Sequence, residues 1–166
     1  MSVRRQKKSE KILRLIDGVI DEAGVYCNYG RLRRRLHGSW DYKTNFSKAV
    51  DNLKRYGYLE VVEIENNKSV RLTDKGRFKI WKPRIDKTWD GRFRLIGFDI
   101  SEKRKKTRDS LRSALRSMGF KQMQKSLWIC PYDVSDAVEE VMDILHLHEE
   151  IDYFIADAIT NKQRNH

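Results

Sequence analysis

The stretch that decides the fold of the second half runs Trp89-Asp90-Gly91-Arg92-Phe93-Arg94-Leu95-Ile96-Gly97-Phe98-Asp99-Ile100. From Arg92 onward it carries apolar residues on both faces, which is typical of a strand in the interior of a small sheet. Ser101 follows as a candidate N-cap. The sequence therefore predicts a strand over 92–100 and a helix that begins directly after it.

Beyond this strand the pattern predicts a helix, two short strands, a second helix and a final strand. Gly119 marks the end of the first of these helices. The resulting order, βαββαβ, is that of the ferredoxin-like fold, which we predict over 91–160 with a polar tail at 161–166. The predicted elements span 101–118, 120–123, 127–130, 134–146 and 153–156.

The first half predicts three helices followed by a β-hairpin, the winged helix-turn-helix arrangement, over 1–80. A linker over 81–90 contains Pro83 and has no periodicity. The whole chain is therefore predicted to be α+β. The helices are predicted from the N-cap Ser9 to Gly24, from Tyr29 to Leu36 and from just after Asp41 to Gly57, and the strands at 58–64 and 69–72, with a turn at Asn66-Asn67-Lys68.

Basic charge dominates the sequence and is segregated along it. The 166 residues include 35 Lys and Arg against 24 Asp and Glu, a formal net charge of +11. By count, residues 1–90 carry net +10, residues 91–130 net +8 and residues 131–160 net −9. Such a distribution makes a polyanion the first partner to consider, whereas ordinary solvated helix faces are the alternative.

Other features exclude several classes of protein. No run approaches the ~18 apolar residues of a membrane span, so we expect a soluble cytoplasmic protein with no membrane partner. Cys27 and Cys130 lie far apart in apolar surroundings, which favours buried thiols in a reducing compartment. The four histidines show no metal-ligand spacing with either cysteine, so no zinc site is expected.

Double-stranded DNA fits the predicted N-terminal domain. A helix about 10–12 Å across fits a major groove about 12 Å wide, and amides, hydroxyls and lysines on its outer face reach base edges and phosphates. A protein-interaction module is the alternative for such a domain, and the positive charge argues against it. The predicted DNA contacts are Arg33, Arg34, Lys43, Thr44, Asn45, Ser47, Lys48, Asn52, Arg55, Asn67 and Lys68, and a secondary nucleic-acid surface on the helix 101–118 comprises Arg104, Lys105, Arg108 and Arg112.

Two stretches resemble known families. Leu72-Thr73-Asp74-Lys75-Gly76 resembles the leucine-threonine-x-x-glycine stretch that follows the wing in bacterial winged-helix repressors. Residues 89–157 resemble the central domain of PaaX-type transcriptional repressors, and are equally similar to the small ferredoxin-like CRISPR-associated endonucleases. The landmarks are Trp89 to Leu95, Phe98-Asp99-Ile100, Leu115 to Phe120, Gln122, Gln124 and Ser126-Leu127-Trp128.

The resemblance to the repressors implies a homodimer that binds specific double-stranded DNA and needs no cofactor. Those repressors usually continue into a further C-terminal domain, whereas this sequence ends at His166, so a ligand-sensing role that depends on that domain does not carry over. We expect the dimer to form through the second domain. The apolar residues expected at its exposed strand ends are Phe98, Leu127, Trp128, Ile129 and Phe154.

The resemblance to the endonucleases implies an alternative, a metal-dependent nuclease or a structural subunit of a DNA-integration complex. In that family the carboxylate matching Asp99 is proposed to hold a divalent metal, Mg²⁺ or Mn²⁺, at the dimer axis. Its position just before Ser101 also suits a carboxylate that compensates a helix N-terminus. A protein-binding adaptor is the third alternative.

Overall fold

A computed structural model describes residues 3–18, 27–36, 46–64 and 66–158. The chain is α+β and divides into two compact units, Met1–Trp81 and Lys82–His166, each with its own antiparallel sheet. In the part of the chain so described, every helix is too short or too polar to cross a membrane.

The N-terminal unit combines helices with a three-stranded sheet in the order β1-β3-β2. Val70 of the central strand pairs with Cys27 on one side and with Val61 on the other. The helices bury Ile12, Leu32 and Leu53 against this sheet. The elements are α1 (Val3–Asp17), β1 (Cys27–Asn28), α2 (Tyr29–Leu36), α3 (Phe46–Arg55), β2 (Leu59–Ile64), β3 (Asn67–Leu72) and α4 (Asp74–Ile80).

Helix α1 begins at Val3, so the prediction of an N-cap at Ser9 is wrong. The residues before Ser9 include no glycine or proline, and Arg, Gln and Lys all favour helix, so nothing in them stops the helix from extending. The predicted helix end at Gly24 lies outside the described residues. Helix α2 confirms its predicted bounds, and α3 lies within the range predicted for the third helix, whose predicted start is outside the described residues. The pattern did not predict β1 or α4.

The C-terminal unit is a four-stranded sheet in the order β5-β6-β4-β7, the strand order of the ferredoxin-like fold. This confirms the predicted βαββαβ arrangement. Both central strands, β4 and β6, pair antiparallel with each other. The elements are β4 (Trp89–Phe98), α5 (Lys105–Ser117), β5 (Lys121–Gln124), β6 (Leu127–Tyr132), α6 (Ser135–Leu145) and β7 (Ile151–Ala156).

Ser101 does not cap a helix, contrary to the prediction. A single 3₁₀ turn, Glu102–Arg104, comes first, and the Ser101 side chain makes no capping hydrogen bond. The turn is closed by the Arg104 amide, which donates to the Ser101 carbonyl at 2.9 Å. Arg104 also pairs with Glu150 and donates to the Leu145 carbonyl at the end of α6. The tertiary contact of Arg104 thus accompanies a tighter first turn than the sequence predicts.

The two faces of the C-terminal sheet differ. Helix α5 covers the face that carries Phe98 and Trp128, which are 7% and 1% exposed. Both belong to the core, so the apolar surface predicted at the strand ends does not include them. Arg112 and Arg116 of α5 lie over these two rings, at 5.9 and 5.4 Å from the ring centroids. The opposite face, here called the open face, carries half-buried or exposed apolar residues: Phe93, Leu95, Leu127, Ile129 and Phe154.

A buried arginine anchors the start of β4. Arg94 is 3% exposed and lies on the helix-covered face. Its guanidinium donates to both carboxylate oxygens of Asp90, at 2.6 and 2.7 Å, and lies 3.3 Å from Asp133. These bonds hold the pKa of Asp90 down at about 2, mainly through the hydrogen bond from Arg94. The pKa of Arg94 is raised by the same bond. We call Asp90, Arg94 and Asp133 the arginine cluster.

Candidate nucleic-acid interface

Helix α3 has one buried face and one polar face. Phe46, Val50 and Leu53 are buried at helical spacing and hold the helix against the N-terminal core. The opposite side is exposed and carries mostly hydrogen-bonding and basic groups. Its residues are Ser47, Lys48, Asp51, Asn52, Lys54 and Arg55.

The side chain of Arg55 is oriented by its neighbours. Its guanidinium donates to the Asn52 amide oxygen at 3.0 Å and lies 5.3 Å from the centroid of the Tyr56 ring. Both contacts are with residues at the end of α3. They direct the cation along the helix surface and toward its C-terminal end.

Helix α2 begins with a side-chain cap. The Asn28 amide oxygen accepts hydrogen bonds from the backbone amides of Gly30 and Arg31, at 2.9 and 3.2 Å, which satisfies two donors of the first turn. Arg33 and Arg34, which the sequence predicts to contact DNA, are exposed on this helix. The cap therefore sets the start of a helix with an exposed basic surface.

Aromatic contacts join the hairpin tip, α2 and α3. The ammonium group of Lys68, at the start of β3, lies 4.7 Å from the centroid of the Tyr29 ring. That ring meets Phe46 of α3 edge to face, with centroids 5.2 Å apart. Asn67 and Lys68 are exposed, as predicted for residues at the tip. Predicted DNA contacts from three elements thus belong to one packed assembly.

The turn after α3 is fixed by α4, which the sequence did not predict. The Thr73 hydroxyl donates to the Gly57 carbonyl at 2.6 Å and accepts from the Gly76 amide at 3.1 Å, so it caps α4 and holds the turn together. The Lys75 ammonium group donates to the Tyr56 carbonyl at 2.7 Å. These contacts give the leucine-threonine-x-x-glycine stretch a structural role in positioning α3.

Gly76 has no room for a side chain. A Cβ atom there would lie 1.9 Å from the Tyr58 carbonyl oxygen. That oxygen also accepts a hydrogen bond from the Thr73 amide at 3.2 Å. The close approach of the two backbones is the physical reason for a glycine at this point of the stretch.

The predicted contacts from the N-terminal unit are not all described. Lys43, Thr44 and Asn45 lie outside the described residues. The remaining ones lie on α2, on α3 and at the hairpin tip, and all of them are exposed. Those exposed residues are Arg33, Arg34, Ser47, Lys48, Asn52, Arg55, Asn67 and Lys68.

The predicted secondary surface on α5 is largely engaged within its own unit. Arg104 pairs with Glu150, Arg108 donates to the Ile100 carbonyl at 3.4 Å, and Arg112 donates to the Lys125 carbonyl at 3.4 Å. All three arginines are half-buried, whereas Lys105 is exposed. The arginines join α5 to its neighbours, which the amphipathic pattern alone did not indicate.

Asp99 follows β4 and is exposed. Its amide donates to the Glu150 carbonyl at 3.0 Å. The side chains of Glu150, which accepts that hydrogen bond, and of Glu102, three residues after Asp99, already pair with arginines: Glu150 with Arg104, and Glu102 with Arg108 at 3.3 Å. Divalent cations of the Mg²⁺ type need several oxygen ligands, and no group of three or more candidate ligands occurs within the described ranges. Within the described residues, one chain thus offers Asp99 to the site that the endonuclease resemblance places between two copies.

Residues 86–166 match the family model described as the PaaX protein central Cas2-like domain. A search of curated proteins found no match. The matched residues lie in the C-terminal unit, and the match agrees with the resemblance seen in the sequence. That unit is thus similar to a domain found in PaaX proteins, and its ferredoxin-like strand order agrees with the match.

Proposed function

We propose that the protein is a PaaX-like transcriptional repressor that binds specific sequences of double-stranded DNA as a homodimer. The observation that carries the proposal is the exposed polar face of α3, which presents Lys48, Asn52 and Arg55 opposite a buried apolar face. The similarity of residues 86–166 to a PaaX domain supports a regulatory role.

In this proposal the N-terminal unit acts as a winged helix. Three helices precede a hairpin, and β1 adds a third strand next to β3, which gives an antiparallel sheet beside α2 and α3. Helix α3 would enter the major groove, and the hairpin tip with Asn67 and Lys68 would contact the neighbouring backbone. The aromatic contacts between the tip, α2 and α3 support their acting as one surface.

Duplex affinity is expected to depend on Lys48 and Arg55. Each phosphate contact that is lost reduces the salt dependence of log K by about 0.9, so Lys48→Gln with Arg55→Gln should lower the slope by about 2 and weaken binding about tenfold or more. Fluorescence anisotropy of a labelled duplex at several salt concentrations measures both quantities.

The matched control removes the same charge from α1. Lys11 and Arg14 are exposed there, and Lys11→Gln with Arg14→Gln should leave the salt slope close to that of the parent protein. Equal losses in the two double variants would mean that net charge, rather than the face of α3, drives binding, and would contradict the proposal.

We further propose that the open face of the C-terminal sheet forms the dimer interface. It carries Leu95, Ile129 and the 54% exposed Phe154 side by side on neighbouring strands. A symmetric partner would remove this apolar area from water and would place two recognition helices on one DNA molecule.

Phe154→Glu is expected to raise the dimer dissociation constant about tenfold or more, because it places a charge in an apolar interface. The adjacent Ile155 provides the matched control: it is also 54% exposed but pairs with Arg94, on the other face of the sheet. Sedimentation velocity over a concentration series should show that Phe154→Glu dissociates, whereas the parent protein and Ile155→Glu remain dimers. A parent protein that stays monomeric at tens of micromolar, or two variants that behave alike, would contradict this interface.

We expect DNA binding without cleavage. The carboxylates of Glu102 and Glu150 are held by arginines, which leaves Asp99 as a lone exposed carboxylate that would bind Mg²⁺ or Mn²⁺ weakly. Single- and double-stranded DNA and RNA incubated with the protein and either metal should remain intact. Metal-dependent cutting that Asp99→Ala abolishes would favour the nuclease alternative, with a metal shared between the Asp99 residues of two copies.

A further inference from the structure

One carboxylate lies at the centre of the exposed face of α3. Asp51 follows Lys48 by three residues and precedes Arg55 by four, so the three side chains form a single strip along the helix. All three are exposed, and the strip is opposite the buried face made by Val50 and Leu53. The centre of the face proposed to enter the major groove is therefore acidic.

Within the part of the chain that the structure describes, Asp51 forms no ion pair with Arg55, although Arg55 follows it at the right helical spacing. An aspartate followed by an arginine four residues later usually forms an ion pair on a helix. Here the Arg55 guanidinium instead donates to the Asn52 amide oxygen and lies over the Tyr56 ring. Across the described residues, Asp51 has no hydrogen bond or ion pair. The carboxylate is thus available to an external donor.

Such a carboxylate opposes binding to a generic phosphate backbone, because like charges repel. It is also in the middle of the helix, away from the first turn where an acidic side chain would be stabilised by the helix dipole. Stabilisation by the helix dipole therefore does not account for Asp51, whereas a hydrogen-bond donor within the groove would.

We propose that Asp51 is a specificity-determining residue that selects cytosine in the DNA site, an inference that rests on the proposed DNA-binding function. An ionised carboxylate only accepts hydrogen bonds. In the major groove, guanine and thymine present acceptors, and adenine presents an acceptor beside its amino group, whereas cytosine presents its amino group as a donor. Cytosine is the base whose major-groove edge suits Asp51, and the other three would be disfavoured.

Selection from a random double-stranded DNA library tests this assignment. The full-length protein is compared with Asp51→Asn and with the control Asp17→Asn, which changes an exposed aspartate of α1. The side-chain amide of asparagine can accept a hydrogen bond from the adenine amino group through its oxygen and donate one to adenine N7 through its nitrogen. Asp51→Asn should therefore replace a fixed cytosine by adenine at one position of each half-site and keep the remaining positions. On the selected duplexes, the preference for the original base should change about tenfold or more.

Each alternative result has a definite meaning. If Asp51→Asn selects the same site with the same cytosine, Asp51 does not read a base, while the proposed DNA-binding function stands. If the parent protein binds duplexes but enriches no sequence, the assignment is also wrong. If neither protein binds any duplex although circular dichroism shows both to be folded, the assignment and the proposed function fall together.

Discussion

Gly76→Ala is expected to destabilise the N-terminal unit by about 3 kcal/mol or more, which is a large part of the stability of a small domain. The added methyl group would lie 1.9 Å from the Tyr58 carbonyl oxygen and 3.0 Å from its carbon. Both are backbone atoms, and the Thr73 amide holds the same carbonyl by a hydrogen bond. Relief of the clash therefore means separation of α4 from the turn that follows α3.

Urea denaturation followed by circular dichroism measures this loss, and a duplex-binding assay should show that affinity falls with it. Gly57→Ala is the control, because Gly57 has a φ of +70° but open space around its Cβ position. We expect that variant to lose only about 1 kcal/mol, the cost of left-handed backbone for alanine. Equal losses for the two glycines would show that close packing against Tyr58 is not the cause.

Arg94→Met is expected to destabilise the C-terminal unit by about 2 kcal/mol. The substitution keeps the apolar length of the side chain but removes the cation from the arginine cluster, which leaves Asp90 and Asp133 without their shared partner. Hydrogen bonds to charged groups contribute about 1.5–3 kcal/mol. The lower part of that range applies because Asp90 and Asp133 are 44% and 64% exposed, so water solvates them once the guanidinium is removed. Chemical denaturation of the full-length protein gives the value.

Arg92→Met is the matched control in the same strand. Arg92 lies 3.2 Å from Asp157, but both side chains are mostly exposed, and such pairs contribute about 0–1 kcal/mol. We expect Arg92→Met to behave almost as the parent protein. A similar loss in both variants would indicate that the strand tolerates no change at all, rather than that the arginine cluster stabilises it.

The arginine cluster also predicts how stability depends on pH. The folded pKa of Asp90, about 2, lies below its ordinary value of 3.8, and the pKa of Asp133 is lowered as well, chiefly by hydrogen bonds from Ser135. The contribution of Asp90 is therefore fully present above pH 4 and is lost as the pH falls toward 2. Arg94→Met should flatten the Asp90 part of this acid dependence, which denaturation at a series of pH values detects.

The amphipathic elements could be predicted from the sequence because the spacing of their apolar residues determines which face is buried. In α3, the spacing of Phe46, Val50 and Leu53 places all three in the core, and Gly57 adopts the left-handed backbone that ends the helix region. The polar face of α3 follows from the same spacing. The predicted DNA contacts that are described on that helix were therefore recognised from periodicity.

Features that depend on tertiary contacts could not be predicted in this way. Helix α4 is short, charged and has Gly76 in its first turn, so its intrinsic helix propensity is low, and its contacts with the turn after α3 support it. Arg94 occupies an inward position of β4 between apolar neighbours, and its charge is paired there with Asp90 and with Asp133, which the tertiary fold brings close. The hydrogen bonds of the α5 arginines to carbonyl groups of neighbouring segments could not be predicted for the same reason.

Helix α4, the last element of the N-terminal unit, packs against α1, the first. The Lys79 ammonium group of α4 lies 3.9 Å from the Glu10 carboxylate of α1. At the other end, Thr73 and Lys75 donate hydrogen bonds to backbone carbonyls of the turn after α3. During synthesis on the ribosome, α1 and the turn after α3 would therefore complete their contacts with α4 only after the chain has emerged as far as Ile80. A fragment designed to contain the N-terminal unit alone should therefore extend through Ile80.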